Sequence, residues 1–350
     1  MGRGYSENIW DYLLVWYRAS RPFTFTASIV PVLVGSALAF VENQFDPVIF
    51  VIVLFASLMV QVGANLTDEY SDYRGTKNYS GMLPSYKVIS LGDLSAYSVK
   101  NGSIVAYFLA TITGLYVVSV TDWILLPVSI VSVAIAYLYA GGSKPLGNYA
   151  LGVPLVFIFM GLVMVVGTYY VYTITVTLEA LSLAVAVGCI VSAILISNDI
   201  RDKDEDLLVG KTTLVTLLGR KFGRYLWLGM VLIGLAVPII LFVYGTLKWT
   251  MVLSLIALPR AYQAWRHTGQ FSNPSALLLG LRSSASFHWW HGLFLAIGIC
   301  LSRLNWFSYL EVRCLNFRKD NCSAKRFVFD GQTRTLRNRF TIPLCFVFLK

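Results

Sequence analysis

Two short stretches hold most of the chemistry this chain can offer. "NLTDEYSD", Asn65 to Asp72, follows the apolar run "VIVLFASLMVQVGA", and "NDIRDKDED", Asn198 to Asp206, follows another. Asn65, Asp68/Glu69 and Asp72 are spaced i, i+3/i+4, i+7, and Asn198, Asp202 and Asp206 are spaced i, i+4, i+8. If the preceding helices continue, each set lies along one helical face. Carboxylates stacked in this way repel one another unless a cation sits among them. Two oxygen-rich faces opposed across a cavity suit Mg2+, which takes hard oxygen ligands, keeps waters and bridges a few carboxylates to substrate phosphates. Lys87, Arg201 and Lys211 stand near enough in the sequence to hold the remaining phosphate oxygens. Solvated loop charges would account for one such cluster. Two, both placed by the charge pattern on one side of a membrane, point to function, because ionisable groups at membrane depth are costly.

The elements that must position these acids are membrane helices. Of 350 residues, 57% are hydrophobic and 13% charged, about half the charge of a soluble globular chain. The apolar runs are continuous, which excludes the alternating pattern of a membrane barrel. The first continues too far for a cleaved signal peptide. The sequence therefore predicts an all-α polytopic membrane protein of nine transmembrane helices, near 23–41, 47–65, 102–120, 123–140, 150–173, 178–197, 224–244, 248–264 and 285–304. Pro259 and Arg260 make the eighth the weakest. Lys and Arg concentrate in the N-terminus and the even-numbered loops, which places those segments and both acidic clusters in the cytoplasm, facing a central cavity that opens there.

The charge balance is uneven. Residues 308–350 hold nine Lys/Arg and three acids, a net +6, so the other 307 residues carry only +4 of the total +10. That balance, on a membrane-embedded body without a basic aromatic motif, predicts no nucleic-acid partner. The five cysteines form no CxxC pair and have no histidine cluster beside them, which argues against a zinc site or disulfide framework. The chain divides into a transmembrane domain over 1–307 and a basic tail over 308–350, expected to be poorly ordered because it has no helical stripe and no run long enough to span.

With these residues in view, the chain resembles the UbiA superfamily of membrane prenyltransferases, whose signature is a pair of Asp-rich motifs after the second and sixth of nine helices. It is most similar to the 1,4-dihydroxy-2-naphthoate polyprenyltransferase (MenA) branch. The likeness rests on "RPFTFTASIVPVLVGSALA", "NLTDEYSDYRGT", "LPSYKVISLGDLS", "YAGGSKPLGNYALG", "GTYYVYT", "NDIRDKDEDLLVGKTTLVTLLGR" and "SSASFHWWHGLFLAIGICL". Glu69 stands where the family usually has Asp, and "GTKNYSG" lacks a further Asp common there.

The resemblance implies Mg2+-dependent transfer of a polyprenyl group from its diphosphate to an aromatic acceptor, dihydroxynaphthoate in this branch, with loss of CO2, in a lipid bilayer. By motif position it implies metal ligation by Asp68, Glu69, Asp72, Asp202 and Asp206, with Asp72, Asp202, Asp206, Lys87 and Arg201 as catalytic groups. Substrate binding falls to Asn65, Asn198, Asp199, Lys211, Tyr139, Lys144, Tyr169, Tyr170 and His288. Helix packing and a structural histidine are the plainer readings of Tyr169/Tyr170 and of His288. Another acceptor, 4-hydroxybenzoate or homogentisate, is the alternative within the superfamily. The DGxxAR pattern of CDP-alcohol phosphotransferases is absent, and a carrier would place its carboxylates at the midplane rather than at one face.

Overall fold

A computed structural model of the protein describes residues 9–75, 85–244 and 248–303. Among them are ten helices and one isolated bridge, Tyr149 to Thr212, with no strand. The helices are α1 (Ile9–Ala19), α2 (Thr26–Val41), α3 (Pro47–Gly75), α4 (Ala96–Val120), α5 (Leu125–Ala140), α6 (Gly152–Thr173), α7 (Leu178–Leu208), α8 (Leu214–Val243), α9 (Leu258–Thr268) and α10 (Pro274–Leu301). Side-chain caps start several of them. Asp46 Oδ1 accepts from the Val48 and Ile49 N–H groups, while Ser95, Thr177, Thr213 and Asn273 cap α4, α7, α8 and α10.

Two boundaries matter most for function. The helices expected to stop at 65 and 197 continue to Gly75 and Leu208. Both acidic clusters are thus the terminal turns of long helices and not loop segments, and the helical spacing read from the sequence is physically realised. Helix α7 is the central one, with 78% of its most apolar window enclosed by the protein, against 11% for α3. It packs on α8, α10 and α6, while α3 packs on α4 and α5 and meets α2.

Among the described residues, helices of spanning length and apolarity do not match all nine expected spans. Six helices are long and apolar enough to cross a membrane: the segments Pro22–Val41, Pro47–Arg74, Ala96–Val120, Gly152–Thr173, Leu178–Leu208 and Leu214–Val243, with Leu125–Ala140 shorter. The expected span 248–264 is instead a 3-10 segment, Trp249–Ala257, followed by α9, with Pro259 in the first turn of α9, where proline is tolerated. The seventh helix begins ten residues earlier than expected, at Leu214, and bends at Gly219, whose φ of 89° suits only glycine. Helix α1 was not anticipated, and the basic tail lies outside the described residues.

Between membrane helices close packing replaces the expulsion of water as the cohesive term, so small residues set approach distances. Helix α6 contains a π-helical stretch, Phe157–Val163, whose Gly161 rests on Gly188 of α7. A Cβ on Gly161 would lie 2.3 Å from the Gly188 Cα, so the contact admits no side chain.

Candidate active site

The C-terminal turns of α3 and α7 carry the acids, and each acid holds a basic partner. On α3, Asp68 is ion-paired with Arg21 and Asp72 with Lys87. On α7, Asp202 forms a two-pronged pair with Arg201, both contacts at 2.5 Å, and Asp206 lies 3.2 Å from Lys211 Nζ. Asn198 Oδ1 accepts from Arg201 Nη2 at 2.9 Å. The clusters also feel each other. Lys211, which follows α7, interacts with Asp68, and Asp206 interacts with Asp72. The two helix ends therefore face a common space. Tyr139, half-buried, lines a small cavity with Asp199 and Lys211 and is within electrostatic reach of Asp68 and Asp206.

The cations stay charged despite their burial. Burial alone would depress the Lys211 ammonium, but Asp206, Tyr139, Asp68 and Asp199 outweigh it and raise its pKa above the ordinary lysine value. For Lys87, burial and the neighbouring Arg21 act downward, and Asp72, Asp68 and Glu69 more than offset them.

Asn65 and Glu69 are held differently from their motif neighbours. The Asn65 amide donates to Ser20 O at 2.7 Å and to Thr24 Oγ1 at 2.9 Å, and its Oδ1 accepts from Gln61. These bonds clasp the turn before α2, where Arg21 adopts a left-handed φ of 53°. Such a conformation in a non-glycine residue costs on the order of 1–3 kcal/mol and persists only where the surroundings enforce it. Asn65 thus positions Arg21 against Asp68. Glu69 is 1% exposed. It accepts from the Ile89 N–H at 3.1 Å and lies 3.7 Å from both Lys87 Nζ and Arg21 Nη2, which anchors the segment before α4 to α3. It is fully enclosed, whereas Asp68 and Asp72 are part-exposed, and it shares their cations.

Other expected residues scatter. Asp199 is buried beside Tyr139 and Lys211 in a small cavity of about 10 Å3, the scale of one water. Lys144 is exposed on the loop after α5. Tyr169 and Tyr170 do not reach the acids. Their hydroxyls donate to Glu42 Oε1 at 2.5 Å and Asp122 Oδ2 at 2.7 Å, beyond the far ends of α2 and α4. Gly152 at the start of α6 touches Tyr139, and seventeen residues of helix carry Tyr169 about 25 Å from it. His288 is 1% exposed inside the bundle, and neither ring nitrogen has a hydrogen-bond partner among the described residues.

The sequence pattern singles out neither Arg21, one of the N-terminal charges, nor Tyr86, whose ring lies 4.7 Å under the Arg21 guanidinium. An arginine before Pro22, directly ahead of a membrane helix, was the available signal. Among the described residues no three acids converge closely enough to hold a metal by protein ligands alone. The donor set still suits Mg2+, which is usually bound by one or two carboxylates with waters and phosphate oxygens completing the shell. Asp206 Oδ2 is buried without a hydrogen-bond partner, which leaves one such oxygen available.

Comparison with known proteins agrees with this architecture. The sequence profile of the UbiA prenyltransferase family matches residues 28–283. The chain is 28% identical over 299 residues to a 1,4-dihydroxy-2-naphthoate octaprenyltransferase of Bacillus subtilis, covering 82% of this chain and 93% of the relative. It is 26% identical over 291 residues to a 2-carboxy-1,4-naphthoquinone phytyltransferase of Synechocystis, covering 81% and 92%. A UbiA homolog from Archaeoglobus fulgidus, solved bound to DMAPP and Mg2+, shares the fold with a TM-score of 0.56 at 13% identity, covering 81% of this chain and 99% of that one. Since the family's profile spans well over half of the sequence and the fold agrees, the chain belongs to the UbiA prenyltransferase family.

Proposed function

We propose that this enzyme transfers a polyprenyl group from its diphosphate to 1,4-dihydroxy-2-naphthoate, with Mg2+ as cofactor and loss of CO2. The observation that carries the reading is the pair of acid-tipped helices facing one space, each acid holding a cation that can change partners. The relatives' names supply the acceptor.

When bound, Mg2+ supplies positive charge to the departing diphosphate. Asp68, Asp72, Asp202 and Asp206 are the residues that would hold it. Arg21, Lys87, Arg201 and Lys211 stand paired to those same acids and turn their N–H donors onto phosphate oxygens. The allylic C–O bond breaks with its electron pair leaving on the diphosphate. The ring supplies the pair for the new C–C bond, and the carboxylate departs as CO2, leaving its bonding pair on the ring. Tyr139, within reach of both clusters, presents a ring and hydroxyl to the reacting space, and the apolar bundle keeps water from the allylic carbon. In this reading the protein is multi-pass, with the acidic helix ends on the cytoplasmic side.

The test is a membrane assay with dihydroxynaphthoate and prenyl diphosphates of several lengths, read by product mass. A prenylated product lacking the carboxyl mass is expected. Prenylation of 4-hydroxybenzoate or homogentisate in its place would transfer the reading to another acceptor. The catalytic unit in this proposal is 1–307, so truncation after Asn305 should retain activity in membranes. A truncated protein that inserts at normal levels but is inactive would assign the tail a part in the enzyme.

A further inference from the structure

A second cavity, of about 130 Å3, lies beside the acid site, on the other side of Arg21. That is roughly ten times the space one water needs. Its lining includes the aromatic Tyr17, Phe23 and Tyr86 and the charged Arg18, Arg21 and Arg282, with no carboxylate among the described residues. Phe23 and Tyr86 pack with ring centroids 5.9 Å apart, and the Arg21 guanidinium covers the Tyr86 ring. The wall of the cavity is therefore built from flat groups.

The three arginines are not equivalent. Arg18 is paired with Asp93 at 2.9 Å, and Arg21 is paired with Asp68. Arg282, exposed in the third turn of α10, makes no ion pair or hydrogen bond among the described residues. Among the described residues, Arg282 is thus the one arginine of the lining without a counter-charge, and it shares that lining with aromatic rings. A single planar anion fits that balance. Arg21 links the two sites physically, since one guanidinium faces Asp68 on one side and lines this cavity on the other.

We propose that this cavity is the binding site for the aromatic acceptor, and that Arg282 recognises its carboxylate and sets its selection. The inference rests on the prenyl-transfer reading above, but not on which aromatic acid is used. A guanidinium meets a carboxylate with two parallel N–H donors, a geometry that lysine does not reproduce. Arg282 lies outside the apolar core and is solvent-exposed, so its replacement leaves folding intact.

The experiment compares purified parent, Arg282→Gln and Arg282→Lys proteins. Binding of 1-hydroxy-2-naphthoate, 4-hydroxybenzoate and uncharged 1-naphthol is measured by protein fluorescence, and KM is measured for acceptor and prenyl diphosphate separately. Arg282→Gln should weaken binding of the preferred aromatic acid by about tenfold or more, and Arg282→Lys should recover only part of it. Binding of 1-naphthol and the KM for prenyl diphosphate should stay as in the parent. If 4-hydroxybenzoate binds in preference and shows the same dependence on Arg282, the cavity assignment stands and the naphthoate reading falls. Equal binding of the carboxylate by parent and Arg282→Gln overturns the assignment, as does a rise confined to the KM for prenyl diphosphate, which would make Arg282 a phosphate contact.

Discussion

Asp72→Asn and Asp202→Asn should each lower kcat/KM by at least about a hundredfold, while both proteins insert into membranes at parental levels. The magnitude is that of removing one electrostatic group aimed at developing charge in a water-excluded site. Asparagine keeps the shape of each side chain and can still accept a hydrogen bond, from Lys87 at position 72 and from Arg201 at position 202. It removes the charge that holds Mg2+ in the proposed mechanism. Chelation of divalent metal should reproduce the loss in the parent, with recovery on adding Mg2+. The two positions lie on different helices, so the pair tests whether both clusters serve one reaction. Near-parental turnover of either variant would reduce that cluster to a structural ion pair.

Glu69→Ala should have a comparable effect by a different route. The Glu69 carboxylate is fully enclosed and is shared by the Ile89 N–H, Lys87 and Arg21. Removing it leaves the buried Ile89 N–H without its acceptor and leaves Arg21 and Lys87 with Asp68 and Asp72 alone, at a cost of about 1–3 kcal/mol. Thermal unfolding in detergent should show a clearly lowered midpoint, and activity should fall because Lys87 and Arg21 lose their placement. Glu69→Gln retains an acceptor for Ile89 and should be milder in stability. A Glu69→Ala protein as stable as the parent but with a raised Mg2+ requirement would favour the metal-ligand role expected from the motif.

Much of this architecture could be read directly from the residue pattern. Apolar runs place the helices expected at 23–41, 123–140 and 150–173 to within a few residues at both ends, while most of the others miss at one end by six to eleven residues, and the i, i+4 spacing of the acids brings the right faces together. The boundaries that failed were those where polar sequence continues a helix. Nothing in hydropathy says that "NLTDEYSD" stays helical, because the helix is held there by Asp68, Glu69 and Asp72 pairing with Arg21 and Lys87, partners distant in sequence. The 3-10 segment before α9 was hidden for the opposite reason, since its residues are as apolar as those of a span. Tyr169 and Tyr170 were read by motif, and only the direction of α6 reveals that they lie at the other end of the bundle. Arg282 was visible only as a loop charge until the fold set it beside Tyr17 and Tyr86.

The length of the acid-bearing helices has a mechanical consequence. Helix α3 has 29 residues and α7 has 31, about 44 and 47 Å at 1.5 Å per residue, against a hydrocarbon core of ~30 Å. The apolar part of each is only about 18–20 residues, or ~27–30 Å at that rise, so it matches the core and the acid-bearing turns are the part that projects beyond it. Their tips carry the two halves of the site, and from Gly188, where α7 is gripped by Gly161, to Asp202 is a lever arm of about 21 Å. A tilt of a few degrees at that grip moves the carboxylate by about 1 Å, on the scale that decides whether reacting groups are in register. The seating of α7 on α6 is thereby a control on how far apart the two acid clusters stand.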